Sequence, residues 1–346
     1  MATPLLVLIF LASAAIIWVA GVGLSNATDA LDARLGLGSA FGGLVLLAIA
    51  TNLPEIAITV TAAASGNLQL AVGNLVGGIA IQTLVLALLD LRSHGRPLTH
   101  RVGSLTIVLE ASIVIGVLVA VVMAAQLPAD VEVAGVSPGS IAIAAIWIGG
   151  LVVINRSRKG IPWRIEAPGA DPGRSATDRA GGADPSPFTG RSTAWVAGLF
   201  ALAALATLGA GIAIEETGSD LADHIGLSGA VFGATILAAS TALPEISTGL
   251  ASVGLGDHEL AFADIFGGNA FLPVLFLLAD LVSGSPALPT AQAGDVWMAG
   301  LGILLTTIYI GGLIIRPDRK RGPLGTDSWI ALGAYVLGVV GLVVIS

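Results

Sequence analysis

The 346-residue chain contains no cysteine. That absence excludes disulfides, thiolate metal sites and cysteine nucleophiles. Charge is also scarce: Asp, Glu, Lys and Arg make up 11% of the residues, against roughly 25% in an average soluble domain. The four histidines (His94, His100, His224 and His258) have no metal-ligand spacing. No His-Glu-x-x-His motif is present, which argues against an intramembrane metalloenzyme. A formal net charge of −8 lacks the basic footprint of a nucleic-acid binder.

What is abundant is apolar. Hydrophobic residues make up 55% of the chain and the mean hydropathy is +0.92, values of a polytopic membrane protein. Apolar windows fall at 5–25, 38–65, 68–91, 102–125, 138–155, 193–214, 228–254, 259–282, 295–315 and 328–345. Each approaches the roughly 20 residues a helix needs to cross the hydrocarbon. The first run starts at Pro4 with no Lys or Arg before it and no clear cleavage site, so it reads as a retained span rather than a signal peptide.

Ten spans predict that alternate connections carry the basic residues, because cytoplasmic loops are enriched in Lys and Arg. Arg34 lies in the first connection, and Arg92, Arg96 and Arg101 lie in the third. The fifth holds Arg156, Arg158, Lys159, Arg164, Arg174, Arg179 and Arg191, and the ninth holds Arg316, Arg319, Lys320 and Arg321. These are all 15 basic residues. The opposite side carries Asp130, Glu132, Glu215, Glu216, Asp220 and Asp223. The expectation is an integral protein of the cell (inner) membrane with both termini non-cytoplasmic and a cytoplasmic loop over 156–192. That loop, rich in Pro, Gly, Asp and Arg, reads as a flexible tether.

Residues 43–91 recur at 233–281 without a gap, and about a third of the aligned positions are identical. The identities include Thr51 with Thr241, the run Leu53-Pro54-Glu55 with Leu243-Pro244-Glu245, Gly77-Gly78 with Gly267-Gly268, and Asp90 with Asp280. The two halves, 1–155 and 193–346, then hold five spans each, and an odd number inverts the second relative to the first. The expected fold is an all-α polytopic membrane protein of ten transmembrane helices in two inverted five-helix repeats. Inverted repeats with interrupted helices point to a secondary transporter.

The repeated motif carries chemistry. Proline has no N–H, so the carbonyl four residues earlier loses its helical partner. Those carbonyls belong to Ala50 and Ser240. Free backbone at membrane depth is tolerated only when buried in protein or lining a wet cavity. Glu55 and Glu245 add carboxylates, and Thr51 and Thr241 add hydroxyls one turn away. An oxygen-only set favours a hard cation such as Ca²⁺, Mg²⁺ or Na⁺. No Lys or Arg lies inside a span to pair with the glutamates, so a purely structural kink accounts for them poorly. Asn74, Gln82, Asp264 and Asn269, the polar residues of the third and eighth spans, are either ligands or helix–helix hydrogen-bond partners. The Gly-Gly pairs also suit close helix approach. Glu110 has no counterpart, and Asp90 and Asp280 read as solvated span ends. The tryptophans fit interfacial anchoring.

These motifs resemble those of the cation/Ca²⁺ exchanger superfamily, specifically its prokaryotic sodium/calcium exchangers. Thr51-Asn52-Leu53-Pro54-Glu55 and Thr241-Ala242-Leu243-Pro244-Glu245 match the family's Gly-Thr-Ser-Leu-Pro-Glu element. Gly73-Asn74 with Gly77-Gly78, and Asp264 with Gly267-Gly268-Asn269, match its Gly-Asn and Gly-Ser-Asn elements. The resemblance implies an antiporter, not an enzyme, with no cofactor. Its partners would be Ca²⁺, exchanged for Na⁺ or H⁺, and the lipid bilayer. It implies Glu55, Glu245, Thr51 and Thr241 as metal ligands, the carbonyls of Ala48 and Ala238 near flanking Na⁺ positions, and first and sixth helices that slide to switch access.

The departures are specific. The family's serine after Thr is Asn52 or Ala242, and the serine of Gly-Ser-Asn is Gly78 or Gly268. A further polar position is Gln82 in one copy and Leu272 in the other. Asn52 and Gln82 are thus cation-binding candidates, with Asn74, Asp264 and Asn269 secondary ones. Missing hydroxyls leave Na⁺ or H⁺ open as coupling ion. An H⁺-coupled antiporter for another divalent or monovalent cation, or a non-transporting cation-binding membrane protein, stay as alternatives.

Overall fold

The computed structural model describes residues 3–35, 49, 51–157, 188, 190–225, 232–254 and 256–345. Its helices are α1 Thr3–Leu35, α2 Leu53–Ala64, α3 Leu68–Arg92, α4 Leu105–Ala124, α5 Pro138–Ser157, α6 Thr193–Ile225, α7 Leu243–Gly254, α8 His258–Phe271, α9 Leu275–Ser283, α10 Ala293–Ile315 and α11 Thr326–Ile345. Extended structure among the described residues is confined to isolated bridges, Val133 with Val136 and Arg321 with Leu324. The protein is an all-α polytopic membrane protein. Among the described residues, eight helical stretches are long and apolar enough to cross a membrane, and a bent pair makes nine. Of the window expected at 38–65, α2 is the described helix, and at 12 residues it is too short to span alone. Most of that window and of the 156–192 loop lies outside the described residues.

Local sequence sets the helix ends. Asn67 accepts the Leu70 N–H at 3.3 Å before α3, and Asp257 accepts the Leu260 N–H at 3.0 Å before α8. These N-caps occupy equivalent places in the two repeated segments. α10 opens with a capping box in which the Gln292 N–H donates to Asp295 at 2.8 Å.

α3 is the central helix. It packs against α2, α7, α8, α9, α10 and α11 and is buried along most of its length. α1 and α6 pack along each other, and each lies across a proline-bearing helix: α1 on α7, α6 on α2. A Cβ on Gly21 of α1 would stand 2.8 Å from Pro244 Cβ. One on Gly211 of α6 would stand 3.2 Å from Ala57 Cβ and 3.3 Å from Pro54 O. Glycine is what permits both approaches.

Asp90 and Asp280 are not solvated ends. Both have zero exposure. Asp280 accepts the Ser137 N–H at 2.9 Å and the Ala287 N–H at 2.7 Å. Asp90 accepts the Leu98 N–H at 2.8 Å and the Gly325 N–H at 2.5 Å, and pairs with Lys320 at 3.3 Å. Each carboxylate anchors two connections. Ser137 also sits in a Gly-x-Ser-x-Gly run, Gly135 to Gly139. Its hydroxyl accepts the Gly139 N–H at 3.1 Å and works as a helix cap. Arg34 donates to the carbonyls of Phe188 and Arg191 at 3.0 and 3.1 Å, tying the end of α1 to the start of α6.

Candidate cation site

The site forms where two helices break. Ahead of α7, a π-turn (Gly233–Leu237) leads into the short turn Ala238–Thr241, and the chain bends by 50° before Leu243–Gly254. Pro244 cannot donate to Ser240, and the helix restarts beyond Ala242. Ahead of α2, Asn52 is the non-helical N-cap residue and Pro54 lies in the first turn. Each break delivers its glutamate in the first turn of the following helix, where the positive end of the helix dipole favours a carboxylate.

Glu55 and Glu245 are both fully buried and meet at Gln82 of α3. The Gln82 side-chain Nε2 lies 3.3 Å from each of Glu55 Oε1, Glu245 Oε1 and Asn52 Oδ1, and its two protons serve two of these acceptors at a time. Two carboxylates 190 residues apart in sequence are therefore joined through one amide. Asn52 Nδ2 lies 3.5 Å from Thr51 Oγ1. Thr241 reaches the Glu55 side chain, while its hydroxyl also lies 3.1 Å from the Ala238 carbonyl. A hydroxyl carries one proton and can satisfy only one of these at a time. Among the sequence candidates, the structure thus gathers Glu55, Glu245, Thr51, Thr241, Asn52 and Gln82, all with zero exposure.

The remaining candidates divide. Ala48 and Ala50 lie outside the described residues. The Ala238 carbonyl accepts the Ala242 N–H at 3.0 Å as well as the Thr241 hydroxyl. The Ser240 hydroxyl turns back onto the Ile236 carbonyl at 2.8 Å. Asn269 donates to Thr83 at 2.9 Å, which ties α8 to α3. Asn74 is fully buried, and neither polar atom of its side chain has a hydrogen-bond partner among the described residues. Such a group calls for water or an ion.

Asp264 sits on the Glu245 side. It accepts a hydrogen bond from Thr248, one turn beyond Glu245 on α7, and interacts electrostatically with Glu245. The Thr248 hydroxyl, also 3.1 Å from the Glu245 carbonyl, was not legible as a site residue. The only available signal was its place three residues after the glutamate.

Two departures from the family motif fill space. A Cβ on Gly268 would meet Asn52 Nδ2 at 3.0 Å and Gln82 Oε1 at 3.5 Å. One on Gly78 would meet Leu272 Cδ1 at 3.6 Å. Where the motif carries serines, this chain carries glycines and lets Asn52 and Leu272 take up the adjoining volume. Among the described residues, no group of three or more His, Cys, Asp or Glu is placed to hold a metal. Any cation here would rely on two carboxylates, amides, hydroxyls and backbone.

Comparison with known proteins agrees with this architecture. Residues 5–154 and 195–344 match the sodium/calcium exchanger protein family. CaxA of Alkalimonas amylolytica is 30% identical over 285 residues, covering 81% of this chain and 82% of that protein. The inner membrane protein YrbG of Escherichia coli is 25% identical over 293 residues, 83% of each. The crystal structure of the H⁺/Ca²⁺ exchanger CAX superposes with a TM-score of 0.69 over 98% of this chain and 82% of that one, a likeness of fold at 12% identity. The chain belongs to the sodium/calcium exchanger family and is a secondary-active cation exchanger of the cation/Ca²⁺ exchanger superfamily.

Proposed function

We propose that this protein exchanges Ca²⁺ for Na⁺ or H⁺ by alternating access at the Glu55–Glu245 site. The observation that carries the reading is the meeting of these two fully buried carboxylates at Gln82, with no Lys or Arg in the spans to neutralise them. One divalent ion, or two protons, balances two carboxylates. Thr51, Thr241 and Asn52 complete an oxygen-rich shell of the kind hard cations take, and Asn74 and Asp264 flank it as secondary ligands.

The proton is the better-supported partner ion. Na⁺ sites beside the carboxylates need additional oxygens, and the adjoining volume is taken by Leu272 and by the amide of Asn52.

The layout that goes with this function is ten spans in two inverted halves, 1–155 and 193–346, joined by a cytoplasmic loop over 156–192. Three sets of contacts support it, each relating positions 190 residues apart: the Gly21–Pro244 and Gly211–Pro54 approaches, the Asn67 and Asp257 caps, and the Asp90 and Asp280 anchors. Charge distribution supports placement in the cell (inner) membrane with both termini outside the cytoplasm. α1 and α6, lying across the two broken helices, are the elements that slide.

Glu55→Gln and Glu245→Gln test the site. Each is expected to abolish Ca²⁺ flux in reconstituted vesicles while detergent-solubilised protein keeps its helical spectrum and elution volume. Undiminished flux in both variants would remove the glutamates from the mechanism.

A further inference from the structure

A second pair of buried carboxylates lies where the α3–α4 and α10–α11 connections meet. One is Asp90, whose oxygens accept the Leu98 and Gly325 N–H groups and which pairs with Lys320 at 3.3 Å. The other is Asp327 in the first turn of α11, 6% exposed. Thr99 donates to Asp327 Oδ2 at 2.6 Å. Glycines close over both of its oxygens: a Cβ on Gly312 would overlap Oδ2, and one on Gly325 would overlap Oδ1. That same Gly325 Cβ would stand 3.2 Å from Asp90 Oδ2. Oxygens of the two carboxylates therefore converge on Gly325.

Two polar atoms here are left over. Asp327 Oδ1 has no hydrogen-bond partner among the described residues, and neither has the Tyr309 hydroxyl. Tyr309, on α10, is 1% exposed, and its hydroxyl is turned toward Ser328, Asp327 and Asp90. The Ser328 N–H faces the Asp327 carboxylate, as a helix start offers any first-turn acid, yet Oδ1 stays unmatched. Charge is left over as well. Two carboxylates share one ammonium, while the neighbouring Arg96 and Arg316 are spent on the ring and the carbonyl of His100. A buried charge without a counter-charge is costly.

The opposite end of the molecule shows that the frame holds without these groups. There Asp280 accepts the Ser137 and Ala287 N–H groups, as Asp90 accepts those of Gly325 and Leu98. The Val133–Val136 bridge matches Arg321–Leu324, and the close approach of Gly139 to Ala124 matches that of Asp327 to Gly312. In this correspondence Gly139 stands for Asp327, Val121 for Tyr309 and Glu132 for Lys320. An anchor of the same build needs neither a second carboxylate nor a phenol.

We infer that Asp327, Asp90 and the Tyr309 hydroxyl form a site for one monovalent alkali cation, Na⁺ or K⁺, separate from the glutamate site. Oxygen-only donors suit a hard cation. The surplus of one negative charge matches a monovalent ion, whereas a divalent ion would leave a positive charge buried. The ion would tie the ends of α3, α10 and α11 together.

The test is thermal unfolding of the full-length protein in detergent at fixed pH and ionic strength, with NaCl or KCl replacing choline chloride. The wild type and the Glu55→Gln, Glu245→Gln double variant are compared. Both should show a saturable rise in midpoint of about 3 °C or more. Asp327→Asn, which keeps an acceptor for Thr99, should remove the rise, and Tyr309→Phe should move half-saturation to several-fold higher cation. A rise that is lost in the double variant belongs to the glutamates and overturns the site. So does a rise that Asp327→Asn keeps, a half-saturation that Tyr309→Phe leaves unmoved, or midpoints that are the same in alkali and choline salts. None of these results bears on Ca²⁺ exchange at Glu55 and Glu245.

Discussion

At the scale of single residues, the carboxylates in this chain do two different jobs that sequence alone did not separate. Glu55 and Glu245 lie buried against an amide at the centre of the chain, and Asp90 and Asp280 lie buried against backbone N–H groups. The first pair was legible, because Pro-Glu recurs inside apolar segments that contain no basic residue. The second was read as solvated, because each aspartate ends its span and its partners are remote: Gly325 is 235 residues from Asp90, and Ser137 is 143 from Asp280. Hydrogen bonds to charged acceptors contribute about 1.5–3 kcal/mol. Asp280→Ala should therefore lower stability by roughly 2–4 kcal/mol as two buried N–H groups lose their acceptor. Exposed Asp130→Ala should stay within about 0.5 kcal/mol of the wild-type protein. Thermal unfolding in detergent distinguishes the two. Similar shifts would mean that the anchors carry no load.

Among the helices, the close approaches set what can move. Each outer helix meets the opposite half's proline through a glycine, Gly21 against Pro244 and Gly211 against Pro54. The proline breaks could be read from the repeat. The glycine contacts could not, because nothing in a single apolar helix says which small residue faces a neighbour. Overpacking a tight contact costs about 1–3 kcal/mol. In an exchanger that cost should fall on the passage between states. Gly21→Ala is expected to slow Ca²⁺ exchange at least tenfold with equilibrium Ca²⁺ binding preserved. Gly211→Ala should have a smaller effect, because its nearest contact is 3.2 Å rather than 2.8 Å. Gly198→Ala, on the same α6 with nothing within 4 Å, should leave exchange unchanged. Equal rates in all three variants would show that α1 and α6 do not slide on these surfaces.

For the whole molecule, the alternation of basic loops predicts an orientation, and the absence of cysteine makes it straightforward to check. A single cysteine at Asp130 should react with a membrane-impermeant maleimide added outside intact cells. One at Arg319 should react only after the membrane is opened. The opposite pattern would invert the topology. The all-α polytopic membrane character was legible at this scale, because hydropathy reports on the chain as a unit. The interior of the site was less so: that Gln82 joins both glutamates depends on the packing of α3 between α2 and α7.

The most direct test of the central claim is Ca²⁺ uptake by proteoliposomes, driven in parallel by an outward proton gradient without Na⁺ and by an outward Na⁺ gradient at matched internal pH. The Glu55→Gln, Glu245→Gln double variant serves as the blank. Uptake under the proton gradient, reduced to background in the blank, is the result expected from two carboxylates whose flanking volume is filled by Asn52 and Leu272. Uptake under the Na⁺ gradient alone would retain the site and reject the proton as its partner. Uptake that persists in the double variant, or no uptake under either gradient, would contradict Ca²⁺ exchange at Glu55 and Glu245.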